Sequence, residues 1–286
     1  MSDKEFIEYM KADMLVPFKD HPFKMRDGDE KEQLLESIKT QGAIEPLIVR
    51  SSSEGKYEII SGHRRLAVCK ELGIDNIPVI VHSLTDEQAV SMMVDANIHR
   101  ESILPSEQAF AYKMKLEALK KQGYRSDLTF SQVAKRLNNS ETIAEGFGIS
   151  KDTLHRYIRL TELIPELLGM VDDGRIALTP AVELSYLTKE QQQHLVDEIE
   201  YTDATPSLSQ AQRLRSLSRQ GHLGKDAIYV VMSEEKANQK EQVRFAKEDI
   251  QKYFPKNYTS KDMSEVIVKL LENWQRKRER NSREER

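Results

Sequence analysis

Tyr57 to Ile60 alternate polar and apolar side chains, Ser61-Gly62 follow, and Leu66 to Leu72 are rich enough in apolar residues for a mostly buried helix. A period of two predicts a strand, and glycine lets the chain turn where a Cβ would obstruct it. Upstream, a charged helical stretch runs to Lys39, followed by the turn Gly42-Ala-Ile-Glu-Pro46 and an apolar strand from Leu47 to Arg50. Downstream, a strand from Ile77 to Val81 leads through an acidic turn into a helix carrying Asp95-Ala-Asn-Ile-His-Arg100.

From Pro105 onward the period becomes helical. Ala109, Tyr112, Leu116 and Leu119 predict a long helix from Pro105 to Gln122, ending at Gly123 and joining two domains. Phe130, Val133, Ala134 and Leu137 mark a separate helix after it. Residues 140–160 then read as a helix-turn-helix. Ile143, Ala144 and Phe147 form the buried face of its first helix, Gly148 suits a left-handed turn, and Ile149 plugs the angle. Leu154, Ile158 and Tyr157 pack the second helix, with Ser150 as its N-cap. Helical patterns continue through Leu160 to Pro165, Glu166 to Val171, Leu178 to Leu187, Gln191 to Glu200 and Ser209 to Arg219.

Gly221-His-Leu-Gly224 reads as a boundary. Beyond it, strands are expected at Ile228–Met232 and Gln242–Ala246, and helices at Lys247–Phe254 and Ser260–Trp274, the last capped by Ser260. A strand followed by two helices is the order of a ribbon-helix-helix subunit, which completes its core as a dimer; the same pattern also suits a small α+β cap. The predicted fold class is therefore α+β. An N-terminal α+β domain occupies residues 1–104, a helical DNA-binding domain 105–220, and a small C-terminal α+β dimerisation domain 225–286.

Composition adds three constraints. No apolar run approaches the roughly 20 residues that span a bilayer, and the first residues show no signal-peptide pattern, so a cytoplasmic protein is expected, with no membrane partner. The single cysteine, Cys69, excludes a disulfide framework and a cysteine metal cluster, and is expected in the core. A formal net charge of -4 argues against a nucleic-acid partner by itself, but the basic residues are clustered.

One cluster is Arg64-Arg65 at the start of the helix after Gly62. Backbone N–H groups at a helix start attract anions, and guanidinium groups add bidentate donors, which suits phosphate. A solvated arginine pair beside a core helix has the same pattern. The other cluster is the outward face of the second helix of the helix-turn-helix: Ser150, Lys151, Thr153, His155, Arg156 and Arg159. These suit base edges and phosphates, with Arg159 assigned to backbone and Asp152 to capping.

In order, the segments His21-Pro-Phe-Lys-Met-Arg26, Gly42-Ala-Ile-Glu-Pro46, Gly62-His-Arg-Arg65, Asp95-Ala-Asn-Ile-His-Arg100 and Ile103-Leu-Pro-Ser-Glu-Gln-Ala109 closely resemble the ParB family of partition proteins over residues 15 to 220. The resemblance implies a ParB/sulfiredoxin-like N-terminal fold. It also implies a homodimeric, CTP- and magnesium-dependent clamp on a palindromic double-stranded DNA site, working with a ParA-type ATPase in plasmid, chromosome or mobile-element segregation. Carried over by position, it assigns the nucleotide to Gly42, Glu45, Gly62, His63, Arg64, Arg65, Asn97 and Arg100, supported by Arg26, with Asn97 near the metal.

The family pattern is broken at several polar positions. The glutamate expected before Asn97, the magnesium ligand, is Ala96, which removes the basis for expecting more than weak CTP hydrolysis. The glutamate of the arginine box is His63, the glutamine of the turn is Glu45, and Ala67 replaces a second-turn arginine. The first two exchanges suggest a polar pair across the site with its members swapped. In Met1 to Lys11, where that family carries a basic ATPase-binding peptide, Lys4 and Lys11 stand against Asp3, Glu5 and Glu8. Other readings are a nucleotide-independent regulator of a plasmid or integrative element, a sulfiredoxin-like enzyme, and a ParB-type nuclease or small kinase using His63.

Overall fold

Residues 6–24, 28–41, 45–52, 55–98, 100, 103–126, 132–234, 250–255 and 258–284 are described in a computed structural model of the chain. Two compact units divide it, Met1–Glu234 and Glu235–Arg286.

Five strands open the first unit: Ile7–Lys11 (β1), Leu15–Val16 (β2), Leu47–Ser51 (β3), Tyr57–Ser61 (β4) and Asn76–Val81 (β5). They form one mixed sheet in the order β1-β5-β3-β4-β2. β3 runs parallel to β5, with Ile48 opposite Ile80, and antiparallel to β4, where the register shifts between Ile48 and Val49. Both faces of the sheet are covered, which explains why neighbours Ile59 and Ile60 are both buried despite pointing opposite ways. Ile59 joins Leu47, Val49, Ile77 and Val79 in a core with Ile38, Leu66, Val68 and Cys69. These last four lie on helices Asp29–Gln41 (α1) and His63–Glu71 (α2). Ile60 faces Ala89, Met93 and Val94 of helix Asp86–Asn97 (α3). The strands expected at Leu47, Tyr57 and Ile77 are present. The pattern gave no sign of β1, because it is a sheet edge on which Ile7 and Tyr9 are exposed.

The remainder of the first unit is helical: Pro105–Ser126 (α4), Gln132–Gly146 (α5), Lys151–Leu160 (α6), Pro165–Asp172 (α7), Leu178–Leu184 (α8), Lys189–Thr202 (α9), Leu208–Arg219 (α10) and Lys225–Ser233 (α11). Local chemistry sets several boundaries. Thr85, Thr188 and Ser207 cap α3, α9 and α10 in reciprocal boxes with Gln88, Gln191 and Gln210. Pro165 begins α7, where a missing N–H costs nothing. Two buried glutamines are hydrogen-bonded: Gln192 accepts from Ile164 N (2.8 Å) and donates to Leu187 O (3.0 Å), and Gln210 donates to Val231 O (2.9 Å).

Three expectations change. The separate helix at 130–137 is, over its described residues, continuous with the first helix of the helix-turn-helix as α5. The strand at Ile228–Met232 is helix α11, because Ile228, Val231 and Met232 are buried at helical spacing against the core of α7 to α10. In the second unit the last helix is Ser260–Glu284 (α12), capped by Thr259 rather than Ser260: Thr259 Oγ1 accepts from Asp262 N (3.3 Å), and Thr259 N donates to Asp262 Oδ2 (2.8 Å). The strand expected at Gln242–Ala246 lies outside the described residues.

Gly62 caps α2 at φ +104, and a Cβ there would lie 2.7 Å from Leu47 Cγ. Gly148 takes φ +65, with nothing within 4 Å of a Cβ. Gly148→Ala should therefore cost only the left-handed strain of about 1–2 kcal/mol. Gly62→Ala adds overpacking and should cost about 2–4 kcal/mol. Denaturant melts of the two variants check the order; equal losses would contradict the close approach at Leu47.

Candidate functional site

The turn at Gly62 delivers the first residues of α2 to one wall of an open cleft of about 810 Å³. Gly62, His63, Arg64, Arg65, Asn97 and Arg100 all line it, together with Glu45. Of the positions expected there from sequence, Arg26 and Gly42 lie outside the described residues. Lys70, Gln33, Glu30 and His21 also face the cleft and were not anticipated. Lys70 sits about two turns beyond His63 on the same helix, so its spacing was a usable signal. His21 had none, being brought in from a loop 42 positions before His63.

The guanidinium groups are held differently. Arg65 Nη1 donates to Glu45 O (2.6 Å) and Pro46 O (3.0 Å), so it braces the entry to β3, and the Glu45 carboxylate stands 3.5 Å away. Arg64 pairs with Glu30 at 2.8 Å across to α1, and the Glu30 side chain is largely exposed. Arg100 Nη1 donates to Asn97 Oδ1 (3.2 Å), while Asn97 Nδ2 donates to Met93 O (2.8 Å). Asn97 and Arg100 were expected on one helix. They do meet, but α3 ends at Asn97 and Arg100 returns from beyond it.

His63 does not form the swapped pair with Glu45. Its Nε2 accepts from Phe18 N (3.1 Å), and its ring lies 3.9 Å from that of His21, centroid to centroid. The physical reason is that Arg65 takes the Glu45 backbone, while the first residue of α2 turns inward to the segment after β2. Burial, followed by the neighbouring His21, pulls the His63 pKa down to about 3. Burial also lowers that of His21, whose Nδ1 bonds to Phe23 O (2.8 Å). A neutral His63 is thus a hydrogen-bonding strut.

A magnesium ion is poorly served here. Ala96 offers no oxygen on its side chain, the Asn97 amide oxygen is engaged by Arg100, and Glu30 pairs with Arg64. Among the described residues no group of three or more His, Cys, Asp or Glu could hold a metal. The cleft is equipped instead with cations and backbone N–H groups, which suits phosphate oxygens.

The helix-turn-helix forms as expected. Ser150 Oγ accepts from Thr153 N (3.1 Å), and Leu154 packs with Ile143 and Ala144. Ser150 and Thr153 thus serve the cap, their hydroxyls 2.8 Å apart. Lys151 pairs with Glu141 at 3.1 Å, and His155 is exposed. Arg156 donates to Thr179 Oγ1 of α8. Arg159 is turned furthest from the expected role: Nε donates to Ser185 Oγ (3.0 Å) and Nη2 to Ser185 O (2.8 Å), tying α6 to the segment after α8.

Residues 1–98 match the family of ParB N-terminal domains. The chain is similar to the nucleoid occlusion protein of Geobacillus sp. (strain WCH70), 31% identical over 198 residues, which cover 69% of this chain and 64% of that protein. It is also similar to the probable chromosome-partitioning protein ParB of Coxiella burnetii (strain RSA 493 / Nine Mile phase I), 29% identical over 189 residues, covering 66% and 59%. The chain spans less than two thirds of the length of these relatives. Two crystal structures of the C-terminally truncated ParB from Caulobacter crescentus match it. One, complexed to the centromeric parS site, has 20% identity and a TM-score of 0.41, covering 74% of this chain and 99% of that one. The other, complexed with CTP-gamma-S, has 22% identity and a TM-score of 0.32, covering 68% and 99%. By these matches residues 1–98 are a ParB N-terminal domain, in a chain similar to chromosome-partitioning and nucleoid occlusion proteins.

Proposed function

We propose that the chain is a sequence-specific DNA-binding partition-type protein whose N-terminal cleft binds a nucleoside triphosphate, with CTP the candidate. The observation that carries this is the position of Ile98. It follows Asn97 at the cleft and packs at once against the α3 core and the core of the helix-turn-helix, so a ligand on Asn97 and Arg100 acts next to the DNA-binding element. The preference for CTP rests on the family resemblance and on the CTP-gamma-S complex of the Caulobacter protein. The parS complex of that protein supports a DNA target for residues 140–160. Homodimerisation is assigned to α12, where Val268, Leu270, Leu271 and Trp274 are each more than half exposed. The ParA-type partner rests on the resemblance alone, as do the palindromic site and the location on nucleoid or plasmid. Ala96 supports a second reading, a regulator that binds DNA without nucleotide.

Calorimetric titration with CTP, ATP and GTP, with magnesium and without it, tests the first reading. CTP should bind preferentially. Arg64→Ala and Arg100→Ala should each cost about 1.5–3 kcal/mol, the worth of a charge-assisted hydrogen bond. Absence of heat for all three nucleotides, alongside specific DNA binding, favours the regulator.

On DNA selected from a random library by the full chain, Arg156→Ala should lose about 1–3 kcal/mol of specific affinity. Unchanged affinity would end the assignment of α6 as the reading helix.

The His63 strut also predicts a pH dependence. Its folded pKa lies below its ordinary 6.5, so its stabilising contribution is complete above pH 6.5 and is lost as pH falls toward about 3, where the unfolded chain takes up the proton that the folded chain refuses. Thermal melts of His63→Gln should fall less between pH ~7 and pH ~4 than those of the parent. Parallel profiles would show that His63 does not contribute.

A further inference from the structure

Alongside α6 the helical bundle holds a cluster that the helix-turn-helix pattern does not include. Tyr186, just beyond α8, is 44% exposed. The Arg159 guanidinium carbon lies 4.1 Å from its ring centroid and that of Arg215, on α10, lies 3.7 Å away. Two guanidinium groups gathered on one ring repel each other, and each is pinned. Arg159 is held by the neutral oxygens of Ser185, and Arg215 by Glu183 at 2.8 Å. The ring borders a hollow of about 530 Å³ whose other walls include Asp152, His155, Arg156 and Arg159 of α6. These α6 residues recur at helical spacing, so the hollow opens on the face of α6 that the core does not use. Glu162 lines it too and pairs with Lys113 at 3.7 Å.

We propose that Tyr186 and Arg215 contact the phosphodiester backbone of the same duplex that α6 reads, with Arg159 as the positioning residue that joins them to α6. The inference rests on the assignment of α6 to the major groove. A helix fills that groove, so cationic groups on neighbouring helices meet the flanking backbone and not base edges. A planar guanidinium steadied on an aromatic ring keeps donors free for a phosphate and loses little freedom on binding it. The DNA-binding surface therefore extends through α8 to α10, and Arg159 contributes by holding that extension in place.

The test compares the full chain with Arg215→Gln, Tyr186→Leu, Glu183→Gln and Arg156→Ala on a duplex selected by the protein and on a random-sequence duplex over a range of salt. Arg215→Gln should weaken binding to both duplexes alike, by roughly 3- to 10-fold, and lower the slope of log affinity against log salt by about 1. Tyr186→Leu should reproduce that change in slope. Glu183→Gln removes a carboxylate beside Arg215 and should leave binding equal or tighter. If Glu183→Gln weakens binding as much as Arg215→Gln, the ion pair serves only the fold and the proposal is overturned. An unchanged slope for Arg215→Gln overturns it as well. Loss with Arg156→Ala and none with Arg215→Gln removes the backbone contact but keeps α6 as the reading helix; loss with neither removes both.

Discussion

The approach of Gly62 to Leu47 is the constraint on which the N-terminal half depends. With no Cβ, the chain leaves β4 in a left-handed conformation and starts α2 directly against β3. That placement lets Arg65 reach back to the carbonyls of Glu45 and Pro46, and it sends His63 inward to Phe18. One short turn thereby sets the rim, floor and charge of the cleft. The same sheet is sealed on its other face by α3, so the cleft residues on α2 and α3 are fixed to one framework.

The connection to the helix-turn-helix is made of few parts. Glu107, buried at the start of α4, accepts from Lys24 N (2.8 Å) and Leu104 N (3.0 Å), holding the His21 segment to the helix. Further along α4, Lys115 pairs with Asp95 of α3, and its ammonium lies 4.7 Å from the Phe147 ring centroid. Phe147 in turn stacks on Tyr112 at 5.1 Å. These contacts tie α3 through α4 to Phe147, the residue before the Gly148 turn that leads into α6.

Much of this was legible because it rests on local rules. Gly148 and Ser150 announce a left-handed turn and a cap, and the structure contains both. The strands at Leu47, Tyr57 and Ile77 follow from apolar runs bounded by turn residues. Ile228-Tyr-Val-Val-Met232 misled because a short β-branched run suits a strand or a buried helix equally, and only the facing helices α9 and α10 decide. Non-local pairing defeated the rest. The His21 and His63 rings meet across 42 positions, and Arg159 is claimed by Ser185, a residue with no periodic relation to α6.

Cys69 lies on α2 with none of its surface open to solvent, and burial raises the pKa of its thiol. Being the only thiol in the chain, it is a built-in chemical clock for the N-terminal half. A thiol reagent reaches it only in molecules whose sheet and α2 have parted, so its reaction rate reports how often that layer opens. Any ligand that steadies the Gly62 turn slows that clock without touching the sulfur.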